Sequence, residues 1–244
     1  MVIRVTSVAL IIINIDMAVN INTVYNRVLA ISNKENRGYI TPQEFNLLAN
    51  QAQLEIFEQY FYDLNQFNRM GEINNEHANI IKNIKEKINL FRKSTDLTYS
   101  NPLFAMPTDL YRLGTVFYNN ATEIEEIAQN EYLYINASPL TKPTTARPVF
   151  IREGGYINVY PTTITSAVKC SYIKIPAEVG WGYTDVDNVS LYDSSTTTDF
   201  ELHESEETVL VYKILAYAGI VIRQPEISQI ADQKDALKVQ KEKS

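Results

Sequence analysis

A chain of 244 residues is long enough for one sizeable core or two small ones. Hydrophobic residues at 45% and charged residues at 21% are ordinary for a globular protein, while a net charge of −7 argues against a basic face that grips nucleic-acid phosphates. The single cysteine, Cys170, permits no internal disulfide and sits in a strand pattern as a small inert hydrophobe. Sixteen tyrosines stand out; tyrosine suits interfaces, and it equally fills β-rich surfaces.

The first sixteen residues form a separate segment. Val5 to Ile15 is apolar and follows Arg4, but no small-residue cleavage site follows it. It also falls short of the roughly 20 residues that span a bilayer. Translation is expected to start at Met17, with residues 1–16 as upstream extension; an ordered edge strand is the alternative. The next run, Ile21 to Ile31, places Val24, Val28 and Ile31 on one side of a short amphipathic helix that the polar SNKENRG ends.

Thr41-Pro42-Gln43-Glu44 is a helix start: Thr41 as N-cap, Pro42 in the first turn, Glu44 as the returning carboxylate of a capping box. The helix is expected to reach about Asn68. Its stripe is Phe45, Leu48, Ala52, Ile56, Tyr60 and Leu64, widened by Ala49, Phe57 and Phe67. After Gly71 a second helix, Asn75 to Lys93, carries Ile80, Ile81, Ile84, Ile88 and Phe91 on one face, and the two read as a helical hairpin.

From Tyr99 the texture changes. Leu110 to Tyr118 is strand-like, and ATEIEEIAQNEY predicts a short helix with Ile124 and Ile127 inward and Glu123, Glu125 and Glu126 outward. Ser138 to Pro148 holds three prolines and reads as an extended connection. VFIRE and YINVY are strands joined by Gly154-Gly155, a pair suited to the positive φ of a tight turn. A third strand, Ala167 to Ile175, alternates Val168/Cys170/Tyr172/Lys174 against the rest and is expected beside that hairpin. Gly180 to Asp199 reads as a long loop with a small hairpin, and Phe200 to Leu202 as a last short strand.

A helix follows from Ser205 to Ile222, with Glu206 and Glu207 at the positive end of its dipole. Val209, Tyr212, Ile214 or Leu215, Ala216 and Gly219 make it apolar nearly all round, so burial is expected. Beyond Pro225 a polar tail carries a thin apolar stripe, Ile227, Ile230, Ala231 and Leu237. Such a stripe is too narrow to pack a core alone and suits docking on another polypeptide.

The fold class that follows is α+β, with an N-terminal helical hairpin and C-terminal helices packed around an antiparallel β-sheet. Residues 17–224 form one expected domain, helical over 17–98, β-rich over 99–203 and closed by a buried helix over 204–224; residues 225–244 are the docking tail.

His77 and His203 lie far apart, as a solvent-facing helical residue and a strand-end residue. DVDN, Asp185 to Asn188, starts like a calcium loop, but Ser190 and Thr196 occupy the positions of its glycine and closing glutamate. No G-x-S-x-G, H-E-x-x-H or Walker A pattern occurs, and Glu206/Glu207 fit helix-start preference rather than acid–base work. The expectation is a non-enzyme without cofactor or metal.

Taken together, the layout resembles the head–tail connector proteins of tailed phages, the adaptor and ring proteins that include the tail-tubular type of podoviruses and crAss-like phages. The resemblance is carried by NRGYITPQEFNLLANQAQLEIFEQYF (Asn36 to Phe61), MPTDLYRL (Met106 to Leu113), INVYP (Ile157 to Pro161), YIKIP (Tyr172 to Pro176) and FELHESEETVLVYKILAYAGIVI with its polar tail (Phe200 to Ser244). It is diffuse and covers most of the chain from Ala18 onward. It implies a non-enzymatic virion protein at the head–tail junction, assembled in the host bacterial cytoplasm. Copies would form a homo-oligomeric ring, commonly dodecameric in the family. The ring would contact the portal protein and adjacent ring or tail proteins, and would line the channel through which genomic DNA passes without specific binding and without a membrane. The resemblance assigns the tail, hence Ile227, Ile230, Ala231 and Leu237, to the portal or a neighbouring subunit. Acidic lumen residues would repel the DNA backbone. An alternative of another class is a carbohydrate-binding or fibre-attachment module using Trp181 and the tyrosine-rich loops; Trp181 as a loop anchor in the core competes with it.

Overall fold

Local capping opens the first two helices. In the computed structural model, which describes residues 18–34, 40–69, 75–187 and 189–221, α1 (Ile21–Lys34) begins where the Asn20 side chain accepts from the Thr23 amide at 3.0 Å. The Asp199 carboxylate takes the Ile21 amide at 2.8 Å. α2 (Pro42–Arg69) starts with the expected capping box: the Glu44 carboxylate accepts from the Thr41 amide at 3.0 Å, and the Thr41 hydroxyl accepts from the Glu44 amide at 3.3 Å. Such a cap contributes ~1 kcal/mol. The stripe read from the sequence is buried from Phe45 through Tyr60 and again at Phe67.

α3 (Asn75–Asn89) ends four residues earlier than expected, because β1 (Arg92–Asp96) pairs antiparallel with β8 (Val168–Lys174), Arg92 opposite Ile173. The helical block of 17–98 therefore stops at Asn89. Lys87 of α3 lies over the Tyr60 ring of α2 at 5.7 Å.

The remaining strands are β2 (Thr98–Ser100), β3 (Leu103–Ala105), β4 (Leu110–Tyr118), β5 (Thr122–Glu126), β6 (Val149–Glu153) and β7 (Tyr156–Tyr160), with α4 (Gln129–Ala137) between β5 and β6. They form an eight-stranded sheet in the order β1-β8-β4-β5-β6-β7-β3-β2, antiparallel except for the short parallel pairing of β5 with β6. An α+β fold with a large, mostly antiparallel sheet is thus present. Two expectations need correction. β8 does not lie beside the β6–β7 hairpin; β4 and β5 separate them. ATEIEEIAQNEY is strand first and helix second: Ile124 pairs with Val116 in the ladder, and α4 starts only at Gln129. A three-residue spacing between Ile124 and Ile127 fits a helical face, yet here one isoleucine belongs to a strand and the other to the link beyond it. Both are buried, as expected.

The β6–β7 turn has Gly154 at φ +58°, a conformation costly for any residue with a Cβ. Alternation in β8 buries Val168, Cys170 and Tyr172. These join Val116 and Ile124 on one half of the sheet and Phe104, Phe150, Ile157 and Val159 on the other in a single core cluster. The two halves meet where β5 pairs with β6, so their buried residues form one continuous cluster.

After β8 come β9 (Tyr183–Val186) and β10 (Val189–Tyr192), a separate two-stranded hairpin, then a 3-10 turn (Glu204–Glu206) and α5 (Glu207–Val221). Phe200 to Leu202 is not a strand; an isolated bridge pairs Ala18 with His203 instead. α5 is buried as its composition demanded, at Val209, Leu210, Val211, Ile214, Leu215, Ala216 and Ala218. Where one domain was expected over 17–224, the chain divides into two compact units, residues 18–49 with 179–221, and residues 50–178, the division falling inside α2.

Candidate functional site

The 18–49/179–221 unit is organised on Trp181. Its ring is 5% exposed, with Tyr25 of α1 at 4.2 Å between centroids and Tyr183 stacked at 5.9 Å. Its indole nitrogen donates to Asn22 Oδ1 at 3.0 Å, and its backbone amide donates to Asn46 Oδ1 at 2.8 Å. The Asn46 side-chain amide returns a bond to the Trp181 carbonyl at 3.3 Å. Every polar atom of the residue is thereby satisfied from α1 and α2, as burial requires. The loop-anchor reading of Trp181 holds, and the ring offers no open face to a sugar. Gly182 follows because nothing larger fits: a Cβ there would lie 2.6 Å from the Asp193 carbonyl oxygen and closer still to the Thr196 hydroxyl. Arg27 of α1 pairs with Glu207 of α5 at 2.8 Å in the same unit, so this glutamate holds a partner as well as favouring a helix start.

In the 50–178 unit Lys93, Asp109 and Tyr172 form a polar group. The Tyr172 hydroxyl donates to Asp109 Oδ1 at 2.8 Å, and Lys93 Nζ reaches Oδ2 at 3.3 Å. Burial alone would raise the Asp109 carboxyl, but the tyrosine hydroxyl and the lysine outweigh it and hold it below its ordinary value. Burial, and then the neighbouring carboxylate, push Tyr172 up to about 12. The same two causes push Cys170 up to about 11. Both stay protonated at neutral pH, so neither supplies an anionic nucleophile there. The group clasps β1, the start of β4 and β8 together.

A cleft of about 400 Å³ opens beside the irregular register of β4 between Leu113 and Val116. Val116, Ile124 and Phe150 line it, with Glu123, Glu125 and Glu126 around them. These carboxylates point outward, as the sequence indicated, and give the cleft a negative rim.

Ile227, Ile230, Ala231 and Leu237 lie outside the described residues, as does the 1–16 segment. His203 caps the 3-10 turn, its Nδ1 accepting from the Ser205 amide at 3.1 Å. Asp185 of the DVDN run accepts from the Ser190 hydroxyl at 2.7 Å. Among the described residues no group of three or more His, Cys, Asp or Glu is placed to hold a metal ion, and no helix is long and apolar enough to cross a membrane.

Two surfaces escaped the sequence reading. On the β9–β10 hairpin Val186 pairs with Val189, and Leu191 with Thr184; all four face solvent, while Tyr183 and Tyr192 take the side toward Trp181. On α4 Tyr132 and Ile135 pack on the sheet, leaving Leu133 and Tyr134 outward, and Leu140 follows at 91% exposure. The signal for the first was the apolar spacing Val186, Val189, Leu191 inside an otherwise polar stretch. No family model matches the chain, and no curated protein does.

Proposed function

We propose that this chain is a structural subunit of a tailed-phage virion, forming a ring at the head–tail junction that bridges portal and tail and lines the DNA channel. The observation that carries the reading is the placement of large apolar side chains outside both cores, on the β9–β10 hairpin and on α4 with the turn after it. A finished monomer seldom leaves such groups in contiguous exposed runs; a subunit that is completed by assembly does. The resemblance of Asn36 to Phe61, Met106 to Leu113 and Phe200 to Ser244 to connector proteins specifies which assembly. A net charge of −7 suits a channel wall that passes DNA without gripping it. The tail, with Ile227, Ile230, Ala231 and Leu237, is the proposed contact to the portal or a neighbouring subunit.

Purified particles test this directly. Mass spectrometry of virions should find the chain in multiple copies, and antibody-gold labelling should mark the vertex where the tail joins. Absence from washed particles ends the reading. Portal co-sedimentation with and without residues 225–244 tests the tail separately, and equal assembly by the truncated chain removes it as the portal contact.

A further inference from the structure

The two exposed apolar faces differ in charge, and the difference pairs them. The stretch 180–199, which forms the hairpin and its flanks, contains Asp185, Asp187, Asp193 and Asp199 and no lysine or arginine. Asp187 is exposed in the turn, at φ +51°, and follows Val186 of the aliphatic face directly in the chain. The stretch 138–148, which follows α4, contains Lys142 and Arg147 and no acid. Both cations are exposed and follow Leu140 in the chain, and α4's own acid, Glu131, sits in the opposite, first turn of the helix. The turn is a built feature rather than a loose strand: the Thr141 hydroxyl donates to the Ile135 carbonyl at 2.9 Å, and the Lys142 amide to the Ser138 carbonyl at 3.0 Å.

We infer that the aliphatic face of the β9–β10 hairpin of one copy, with the acidic turn at Asp187, docks on the α4 face and the basic segment after it, with Tyr134, Leu140, Lys142 and Arg147, of a second copy. Three physical points carry it. A two-stranded hairpin with one open aliphatic face is marginal in water and gains most from being covered. Two acidic hairpin tips repel each other, and so do two basic turns, so neither face accepts its own kind. A contact between unlike faces is head-to-tail, the arrangement that closes into rings or runs on as filaments. The inference deepens the ring reading by naming the surfaces that join its subunits, and in that sense rests on it.

Sedimentation velocity on the full-length chain across a concentration series tests the contact, with far-UV circular dichroism as the folding control. The wild-type chain self-associates, more strongly at low than at high salt. Leu191→Ser on the hairpin and Leu140→Ser on the turn each weaken association by at least about tenfold. Both positions are exposed, so both variants keep the wild-type circular dichroism. Mixing the two variants restores one intact contact per pair, giving heterodimers and nothing larger. A wild-type chain that stays monomeric at every concentration overturns the contact, as does either variant associating like wild type. A mixture no better than its components overturns it too, since a hairpin-to-hairpin or third-surface contact behaves that way. Particle composition separates this from the virion reading. A chain present in virions but monomeric in solution leaves the virion reading standing and removes these faces. A chain absent from virions that still pairs in this pattern does the reverse.

Discussion

The β8 strand and the β9–β10 hairpin use the same two-residue alternation and reach opposite ends. In β8 the alternating set, Val168, Cys170 and Tyr172, is sealed within a core supplied by both halves of the eight-stranded sheet. In the hairpin the aliphatic set, Val186, Val189 and Leu191, is left open, and only the opposite face, with Tyr183 and Tyr192, meets its own unit. Alternation therefore says that one side of a strand is apolar, and the number of neighbouring strands decides whether that side is covered within the chain. One set stabilises the subunit; the other is available for association.

The comparison predicts graded costs, and the largest belongs to the sheet. Phe150→Ala removes a buried ring from the shared core and should lower unfolding free energy by ~3–5 kcal/mol, read from urea denaturation of the full chain. Trp181→Phe is milder. It keeps an aromatic ring against Tyr25 but deletes the indole donor to Asn22 and part of the ring volume, for ~1–3 kcal/mol.

Tyr172→Phe is next, at ~1–2 kcal/mol near neutral pH, for the loss of a hydrogen bond to a carboxylate. Its pH profile identifies it. Tyr172 holds its proton up to about 12 in the fold against an ordinary 10.0, so its contribution is complete below pH 10.0 and disappears as pH rises toward 12. Asp109 runs the other way: its folded value lies below 3.8, so its contribution is present above that pH and is lost as pH falls through the depressed value. Tyr172→Phe should flatten the alkaline loss of stability and shrink the acid one. Unchanged alkaline melting curves would show that the hydroxyl is not the titrating group.

What the sequence revealed follows the range of the interactions involved. α2 was legible because its signals are local: the Thr41–Glu44 box and a stripe at helical spacing. The β6–β7 hairpin was legible from Gly154-Gly155 and α5 from its apolar composition. β1 was missed because it is polar and exists through a partner far along the chain, Arg92 opposite Ile173, and β2 and β3 because each is only three residues long. The strand order that parts β8 from β6 is likewise set by distant pairing. Trp181 as an anchor was read correctly, but its partners Asn22 and Asn46 stand 159 and 135 residues away, beyond any local pattern. Of the surfaces, the sequence pointed to Ile227, Ile230, Ala231 and Leu237, which lie outside the described residues, and gave no warning of Leu140, whose exposure depends on how the turn after α4 is built.

The smallest expected effect on folding is the sharpest test of the comparison. Leu191→Ser changes a side chain that touches mainly solvent, on the open face opposite Thr184, so the urea midpoint of the dilute protein should move by no more than ~0.5 kcal/mol equivalent. Val168→Ser makes the same kind of replacement at the same phase of alternation but inside the sheet core, where an unpaired hydroxyl and a lost branched side chain should cost several times more. If the hairpin variant were as damaging as the core variant at low concentration, Leu191 would be packed within its own subunit, and the contrast between covered and open faces would fail. If it is silent in dilute solution and costly only at concentrations where the wild-type chain associates, the stability that Leu191 provides comes from a second copy. That concentration dependence is what separates a side chain that completes a fold from one that completes an assembly.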